Sequence, residues 1–371
     1  MRILHCLRAP VGGLFRHVLD LAAEQARRGH DVGILADSNA EDRLTNNKFA
    51  ALEPALKLGI LRIAMSRQPG LGDLAAYRTV AARARTLNLD VLHGHGAKGG
   101  AYARLAARKL NREGQGVKAF YTPHGGSLNF KPGSLQSRVF LGVERGLVRF
   151  TSGLIFESAF AARVYGERVR APCVPSRIIL NGLQPDDFAK VAPKPDASDV
   201  LFIGELRPIK GVDLLLRALA DLKSKRRVTA TIVGSGPEMD NLQALAGKLG
   251  IGGQVIFAGA LPARDAFALG RIMVVPSLAE SFPYVVLEAA AAGLPLISTS
   301  VGGIPEIVAE TDTGLIEAGS VAAISDALNA VLDDPRGSEA RARRLRANVE
   351  KKFTVAGMTG DVLDFYASSA R

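Results

Sequence analysis

Short runs of β-forming residues alternate along this chain with longer runs of helical period, and the alternation happens twice. That rhythm constrains the fold more than any single motif, because strands separated by helix-length crossovers pair in parallel. The first series predicts strands at Met1–Leu7, Asp31–Ala36, Val91–His93, Lys118–Thr122 and Gly153–Glu157. Its helices fall at Phe15–Arg28, Leu74–Leu87, Gly99–Lys109 and roughly Ser134–Phe150. The second predicts strands at Ser176–Leu180, Val200–Ile203, Thr229–Val233, Val255–Phe257, Ile272–Pro276 and Leu296–Ser298, with helices at Val212–Leu222 and Pro237–Leu249. Two βα series in succession predict an α/β protein of two Rossmann-like, doubly wound parallel-sheet domains. A length of 371 residues suits two such cores. The stretch NGLQPDDFAKVAPKPD, 181–196, reads as the linker between them.

Composition narrows the class. The chain is 47% hydrophobic and 22% charged, as in a globular protein. The opening MRILHCLRAP lacks a secretory pattern, and no apolar run reaches membrane-spanning length; the expectation is a cytoplasmic protein. Cys6 and Cys173 lack metal-ligand spacing, and each reads as a small buried hydrophobe in a reducing setting. Charge is lopsided: residues 1–180 hold 27 Lys/Arg against 13 Asp/Glu, and residues 181–371 hold 20 against 23. The basic half suits an anionic partner, either a phosphorylated substrate or an anionic membrane face. Its arginines are scattered without interleaved aromatics, which argues against nucleic acid.

Candidate chemistry sits in the loops that follow strands. VGGLFRHVLDLA, 11–22, places Gly12 and Gly13 at a helix start, where backbone N–H groups are free for an anion; it is not a G-x-G-x-x-G fingerprint. TPHGGSLNF, 122–130, sets His124 just past a strand end, where open α/β sheets hold ligands. FIGELRPIKGVDLLL, 202–216, carries Arg207 and Lys210 ahead of a helix, suited to a diphosphate. IVGSGPEMDNL, 232–242, has G-x-G, but Met239 stands at the third glycine position of the dinucleotide pattern. ESFPYVVLE, 280–288, puts Glu280 in a loop and Glu288 inside a helix, with Pro283 in the first helical turn. Two acids straddling a helix start suit hydroxyl pairs, one on a sugar and one on a ribose. They are poorly placed to face each other across a glycosidic bond.

In order, VGGLFRHVLDLA, TPHGG, ILNGL at 179–183, GELRPIKGVDLLL, VGSGPEMDNL and ESFPYVVLEAAAAGLPLISTSVGGIPEIV resemble the retaining glycosyltransferases of family 4, which share the GT-B fold. The most specific part is Glu280-x7-Glu288 followed by Gly293-Leu294-Pro295 and Gly302-Gly303-Ile304-Pro305-Glu306. The resemblance implies an N-terminal acceptor domain, 1–182, with a last helix at 355–371 crossing back to it. It implies a donor domain, 183–354, across a deep cleft. Glu288 would bind ribose. Glu280, with the backbone of Ser281, Phe282, Pro283, Tyr284 and Val285, would hold the donor sugar and phosphate. Arg207 and Lys210 would neutralise the diphosphate, Gly12 and Gly13 would close over it, Leu261 would meet the base, and His124 would lie near the reacting sugar. Glu205 stands where the family usually has Arg, so Arg207 is expected to supply that cation. Pro283 stands where Gly is frequent. The implied enzyme is a hexosyltransferase that retains anomeric configuration and needs no cofactor and no metal; no Asp-x-Asp occurs in the chain. The implied acceptor is a glycan or lipid-linked glycan in envelope or exopolysaccharide synthesis, at the inner face of the cytoplasmic membrane. The alternatives are a nicotinamide-dependent sugar-nucleotide enzyme, for which the chain lacks a G-x-G-x-x-G near the first strand, and a non-catalytic nucleotide-sugar binder.

Overall fold

The computed structural model describes residues 1–39, 43–125 and 135–369. The chain divides into two compact units, 1–182 together with 355–371, and 183–354.

The first unit is a seven-stranded sheet with helical crossovers. In chain order it comprises β1 (Arg2–Leu7), α1 (Gly12–Arg27), β2 (Asp31–Asp37), α2 (Arg43–Leu52), β3 (Gly59–Ile63), α3 (Gly72–Thr86) and β4 (Val91–His95). There follow α4 (Gly96–Arg112), β5 (Lys118–Thr122), α5 (Leu135–Leu147), β6 (Gly153–Phe156), α6 (Ala159–Arg168) and β7 (Ser176–Ile178). The strand order is β3-β2-β1-β4-β5-β6-β7, and every pairing is parallel. From β1 the chain builds outward to β3, then returns to β1's other side with β4. The sheet therefore has its topological switch between β1 and β4.

The second unit comprises β8 (Ser198–Ile203), α7 (Val212–Leu222), β9 (Ala230–Val233), α8 (Met239–Lys248), β10 (Val255–Gly259), α9 (Ala263–Phe267) and β11 (Gly270–Val275). It continues with α10 (Tyr284–Ala292), β12 (Leu296–Ser298), α11 (Ile304–Val308), α12 (Val321–Asp333) and α13 (Pro335–Lys352). Its parallel sheet runs β10-β9-β8-β11-β12, so its switch lies between β8 and β11. The predicted pair of doubly wound parallel sheets is the architecture found, but the strand expected at 176–180 to open the second series pairs instead with β6, as β7 at the edge of the first sheet. The short elements α2, β3, α6 and α11, and the late helices α12 and α13, escaped the sequence reading. Helix α12 and the strands of the second sheet share one core with α7, through Ile324, Leu328, Leu215 and Val274.

Helix α14 (Val355–Ser368) belongs to the first unit. Val355, Met358, Val362, Phe365 and Tyr366 join Ile3, Leu21, Val91, Phe120 and Ile155 in one buried cluster. Lys118 Nζ donates to the Tyr366 carbonyl at 2.9 Å, which fixes the helix along the sheet.

Helix α4 lies unusually close to the strands. A Cβ on Gly99 would stand 2.4 Å from the Cys6 carbonyl oxygen, so only hydrogen fits there. The same helix buries Arg104 completely. Its guanidinium donates twice to Glu144, at 3.0 Å each, and once to the Gly100 carbonyl at 2.9 Å, and it stacks 3.9 Å from the Tyr121 ring centre. Tyr121 also donates to Glu144, at 3.1 Å. Cys6 is buried as expected, but Cys173 is exposed: it lies in the irregular stretch between α6 and β7, where no core forms around it.

The Arg104–Glu144 pair is predicted to be intolerant of half-removal, because a lone buried carboxylate keeps its desolvation cost without its partner. Arg104→Met should lower stability by about 3–5 kcal/mol in urea unfolding. The double variant Arg104→Met with Glu144→Leu should recover much of that loss; a double variant worse than the single would contradict this account.

Candidate active site

Most residues singled out from sequence lie at the carboxyl ends of strands, and they fall into two groups, one per unit. In the second unit they gather at the β8/β11 switch. The loop after β8 runs through Glu205 and Arg207 into a 3-10 turn, Pro208–Lys210, and then α7. The loop after β11 runs through Ser277 and Glu280 to α10. The Leu278 N–H donates to the Ile209 carbonyl at 2.8 Å, which binds the two loops together. Lys210 Nζ donates to Glu280 Oε1 at 2.6 Å, and Ser277 Oγ donates to the same oxygen at 2.7 Å. The side chains of Lys210 and Glu280 are only 23% and 10% exposed, so both loops are held at a defined position.

Arg207 is held differently. Its partner is Glu205, 3.7 Å away, and both side chains are about half exposed. A solvent-screened pair of this kind is worth about 0–1 kcal/mol, so an incoming anion can take Arg207 at little cost. Glu205 thus sits beside the cation that was expected to replace the missing arginine.

Pro283 does not lie in the first helical turn. It is the residue before it, extended at φ −77 and ψ 121, and α10 begins at Tyr284. Its ring cannot donate a hydrogen bond, but it ends the loop without disturbing the helix ladder. Phe282 and Tyr284 are buried, and Glu288 is partly buried one turn after Tyr284. The Gly302-Gly303 loop packs on this segment: the Gly303 N–H donates to the Ser281 carbonyl at 2.7 Å. Gly302 has φ +61, and a Cβ there would stand 2.1 Å from the Glu280 carbonyl oxygen. Leu261 lies apart in the loop between β10 and α9, and is 38% exposed.

In the first unit the candidates lie at the β1/β4 switch and its neighbour β5. Gly12 has φ +63 and opens α1; it and Gly13 are exposed, and the residue at the helix start, Val11, makes no side-chain capping bond. His124 follows β5 by two residues, itself at φ +50. The rest of its stretch, from Gly126 to Phe130, is outside the described residues.

His124 is not alone, and here sequence reasoning missed a cluster. His5 lies on β1, His17 on α1, and His93 and His95 on β4. His95 Nδ1 is 3.0 Å from His124 Nε2, and His95 Nε2 is 3.0 Å from His5 Nδ1. His5 Nε2 lies 2.8 Å from Gln25 Oε1, and His17 Nδ1 lies 3.0 Å from Asn181 Oδ1. His93 bonds Tyr366 Oη at 2.6 Å and Thr122 Oγ1 at 2.9 Å. Burial pushes the His5 and His17 pKa values down to about 4, opposed in each case by the amide partner. Burial likewise holds His93, His95 and His124 well below the ordinary histidine range. The cluster is therefore neutral at physiological pH. One sequence signal pointed to it: His-Gly-His at 93–95 puts two imidazoles on one face at the end of a strand.

Comparison with known proteins places this geometry in a family. Residues 11–187 match the Glycosyltransferase Family 4 pattern, and residues 184–352 match that of the group 1 glycosyl transferases. The chain is 30% identical to a glycogen synthase of Mycobacterium tuberculosis, covering 95% of this chain and 91% of that protein. It is 28% identical to the N-acetyl-alpha-D-glucosaminyl L-malate synthase of Bacillus anthracis, covering 92% and 90%. Anabaena HepE in complex with UDP-glucose superposes with a TM-score of 0.82 at 22% identity, covering 99% of this chain and 100% of that one. WaaG, a glycosyltransferase involved in lipopolysaccharide biosynthesis, superposes with a TM-score of 0.74 at 18% identity, with both chains covered fully. The fold is that of the GT-B glycosyltransferases. The chain belongs to the family 4 glycosyltransferases and is an enzyme of that class, which sets aside the nicotinamide-enzyme and non-catalytic alternatives.

Gly302 supplies a test of how tightly the second site is built. Gly302→Ala should lose about 1–2 kcal/mol from the left-handed backbone alone, with the clash against Glu280 in addition. Both the melting temperature and glycosyl-transfer activity should fall. A variant with unchanged activity would show that the Glu280 loop does not depend on this packing.

Proposed function

We propose that the enzyme transfers a hexose from a nucleoside-diphosphate sugar to a hydroxyl of a glycan or lipid-linked acceptor, with retention at the anomeric carbon and without a required metal. The observation that carries this reading is the Lys210–Glu280–Ser277 arrangement at the β8/β11 switch, with Arg207 loosely held beside it. Breaking the bond between sugar and phosphate builds negative charge on the departing diphosphate. Two cations set by short loops can stabilise that charge where it develops. Glu280 already accepts from Lys210 and Ser277 through one oxygen, which leaves its other oxygen for sugar hydroxyls. Glu288, one turn into α10, is assigned to the ribose.

Support comes from relatives and neighbours. Anabaena HepE is recorded with UDP and with UDP-glucose. A relative from Acidothermus cellulolyticus, 28% identical, carries the name D-inositol 3-phosphate glycosyltransferase. In the first unit, the open amides at Gly12 and Gly13 are assigned to phosphate and His124 to the reacting sugar. The basic surplus of residues 1–180 suits a lipid-linked acceptor on an anionic membrane, met from outside the bilayer. No described helix is long and apolar enough to cross a membrane.

A thermal-shift screen of nucleoside diphosphates and their sugars, in EDTA, tests the proposal. One nucleoside diphosphate should raise the melting temperature, and Glu288→Ala should abolish most of that shift. Lys210→Ala should lower kcat for transfer about 10²–10³-fold, the range seen when one charge-stabilising donor is removed. Absence of a shift with every nucleotide, or full transfer activity in Lys210→Ala, would refute the assignment.

A further inference from the structure

The histidine cluster of the first unit is larger than one sugar-facing imidazole requires, and its hydrogen bonds fix where its lone pairs point. A neutral imidazole donates at one nitrogen and accepts at the other. The Gln25 carbonyl oxygen can only accept, so His5 donates to it from Nε2 and accepts at Nδ1. His95 must then donate from Nε2 to His5, and its unprotonated Nδ1 accepts from His124 Nε2. The Asn181 oxygen likewise takes the Nδ1 proton of His17, which leaves His17 Nε2 bare. That nitrogen is buried and has no hydrogen-bond partner among the described residues, while the whole residue is 1% exposed. An unsatisfied buried acceptor is costly and calls for an explanation.

His95 Nδ1 faces His124 Nε2 at 3.0 Å, and the His17 ring lies edge-on to His124 with 4.8 Å between centres. His17, His95 and His124 each offer one imidazole nitrogen, all within 4.8 Å of one another. Zinc–imidazole bonds of about 2.1 Å in a tetrahedron set the nitrogens about 3.4 Å apart. The 3.0 Å between His95 Nδ1 and His124 Nε2 lies near that value, and the His17 nitrogen falls within 4.8 Å of both. The other trio with suitable proximity, His5, His93 and His95, is excluded by its bonding, because both nitrogens of His5 and of His93 are already paired.

We propose that His17, His95 and His124 form a binding site for a late transition-metal cation of the Zn²⁺ class, separate from the diphosphate-facing loops of the second unit and competing with the reacting sugar for His124. Metal-ligating histidines characteristically donate their other N–H to a fixed acceptor. His17 has Asn181 in that role, and His95 has His5 backed by Gln25. His124 shifts its proton from Nε2 to Nδ1 when the cation binds, so no net proton is released there. Neutral imidazole suits zinc, copper and nickel better than magnesium or calcium. Three protein ligands leave the fourth position open for water or an anionic group. His124 is partly exposed and supplies the way in, whereas His17 and His95 are buried.

Cobalt titration of the untagged, EDTA-treated full chain tests this. One equivalent of Co²⁺ should give visible absorption of tetrahedral intensity, removed by one equivalent of Zn²⁺. His17→Ala and His124→Asn should each weaken Co²⁺ binding at least tenfold. His124→Asn lies at the partly exposed position, so it decides the matter if the buried His17→Ala variant does not fold. His30→Asn should bind normally, because His30 pairs with the amino terminus away from the cluster. Absence of a tetrahedral band, an unchanged affinity in His124→Asn, or loss of binding in His30→Asn would each overturn the proposal.

Discussion

Parallel strands leave their carboxyl ends on one edge of a sheet, and a reversal in winding direction parts the two loops that leave neighbouring strands. That constraint governs everything chemical in this protein. In the second sheet the reversal falls between β8 and β11, and the loops that leave those strands carry Lys210 and Glu280. In the first sheet it falls between β1 and β4, and strands there deliver His5, His93 and His95. Helices α1 and α10 each begin at the carboxyl edge of their own sheet. One topological rule, applied twice, thus produces a charged site in one unit and a neutral, imidazole-lined one in the other.

The two sites differ in how they are stabilised. At the charged site, Lys210 and Glu280 are short of full burial, so their pairing gains attraction without the full cost of removing both from water. Ser277 takes part of the same oxygen, and the Gly302 loop presses on the backbone behind it. Arg207 is left in a pair that solvent screens. One cation is therefore positioned in advance and the other is available, a division that suits the proposed diphosphate, which has to be held and then released. At the imidazole site no formal charge needs compensation. Its order comes from directional hydrogen bonds that begin at two buried amides, Gln25 and Asn181.

Much of this was legible in the residues. Periodicity alone dictated two parallel α/β layers, because crossover helices and aliphatic strands announce themselves locally. The Glu280 to Glu288 spacing placed one acid in a loop and one in α10, and the structure has them there. Pro283 was misread by one position, since a proline fits equally well just before a helix and just inside it. Strand β3 and helix α2 were missed because neither has a pronounced apolar face; every residue of β3 is only partly buried. The histidine cluster was missed for a different reason. His5 and His95 are 90 positions apart, and nothing short of the sheet order brings them together. The exposed thiol at Cys173 shows the same limit from the other side, as residue type alone did not tell which cysteine the core would reach.

Helix α14 carries an implication for how the molecule is made. The core of the first unit includes Phe365 and Tyr366, and Tyr366 also closes the hydrogen bonding of His93. These residues are synthesised after the whole of the second unit, whose segment 183–354 is continuous. On the ribosome the usual order of maturation is consequently inverted: the later-made unit can finish first, while the amino-terminal one waits, its sheet uncovered along one strip, until α14 has been made.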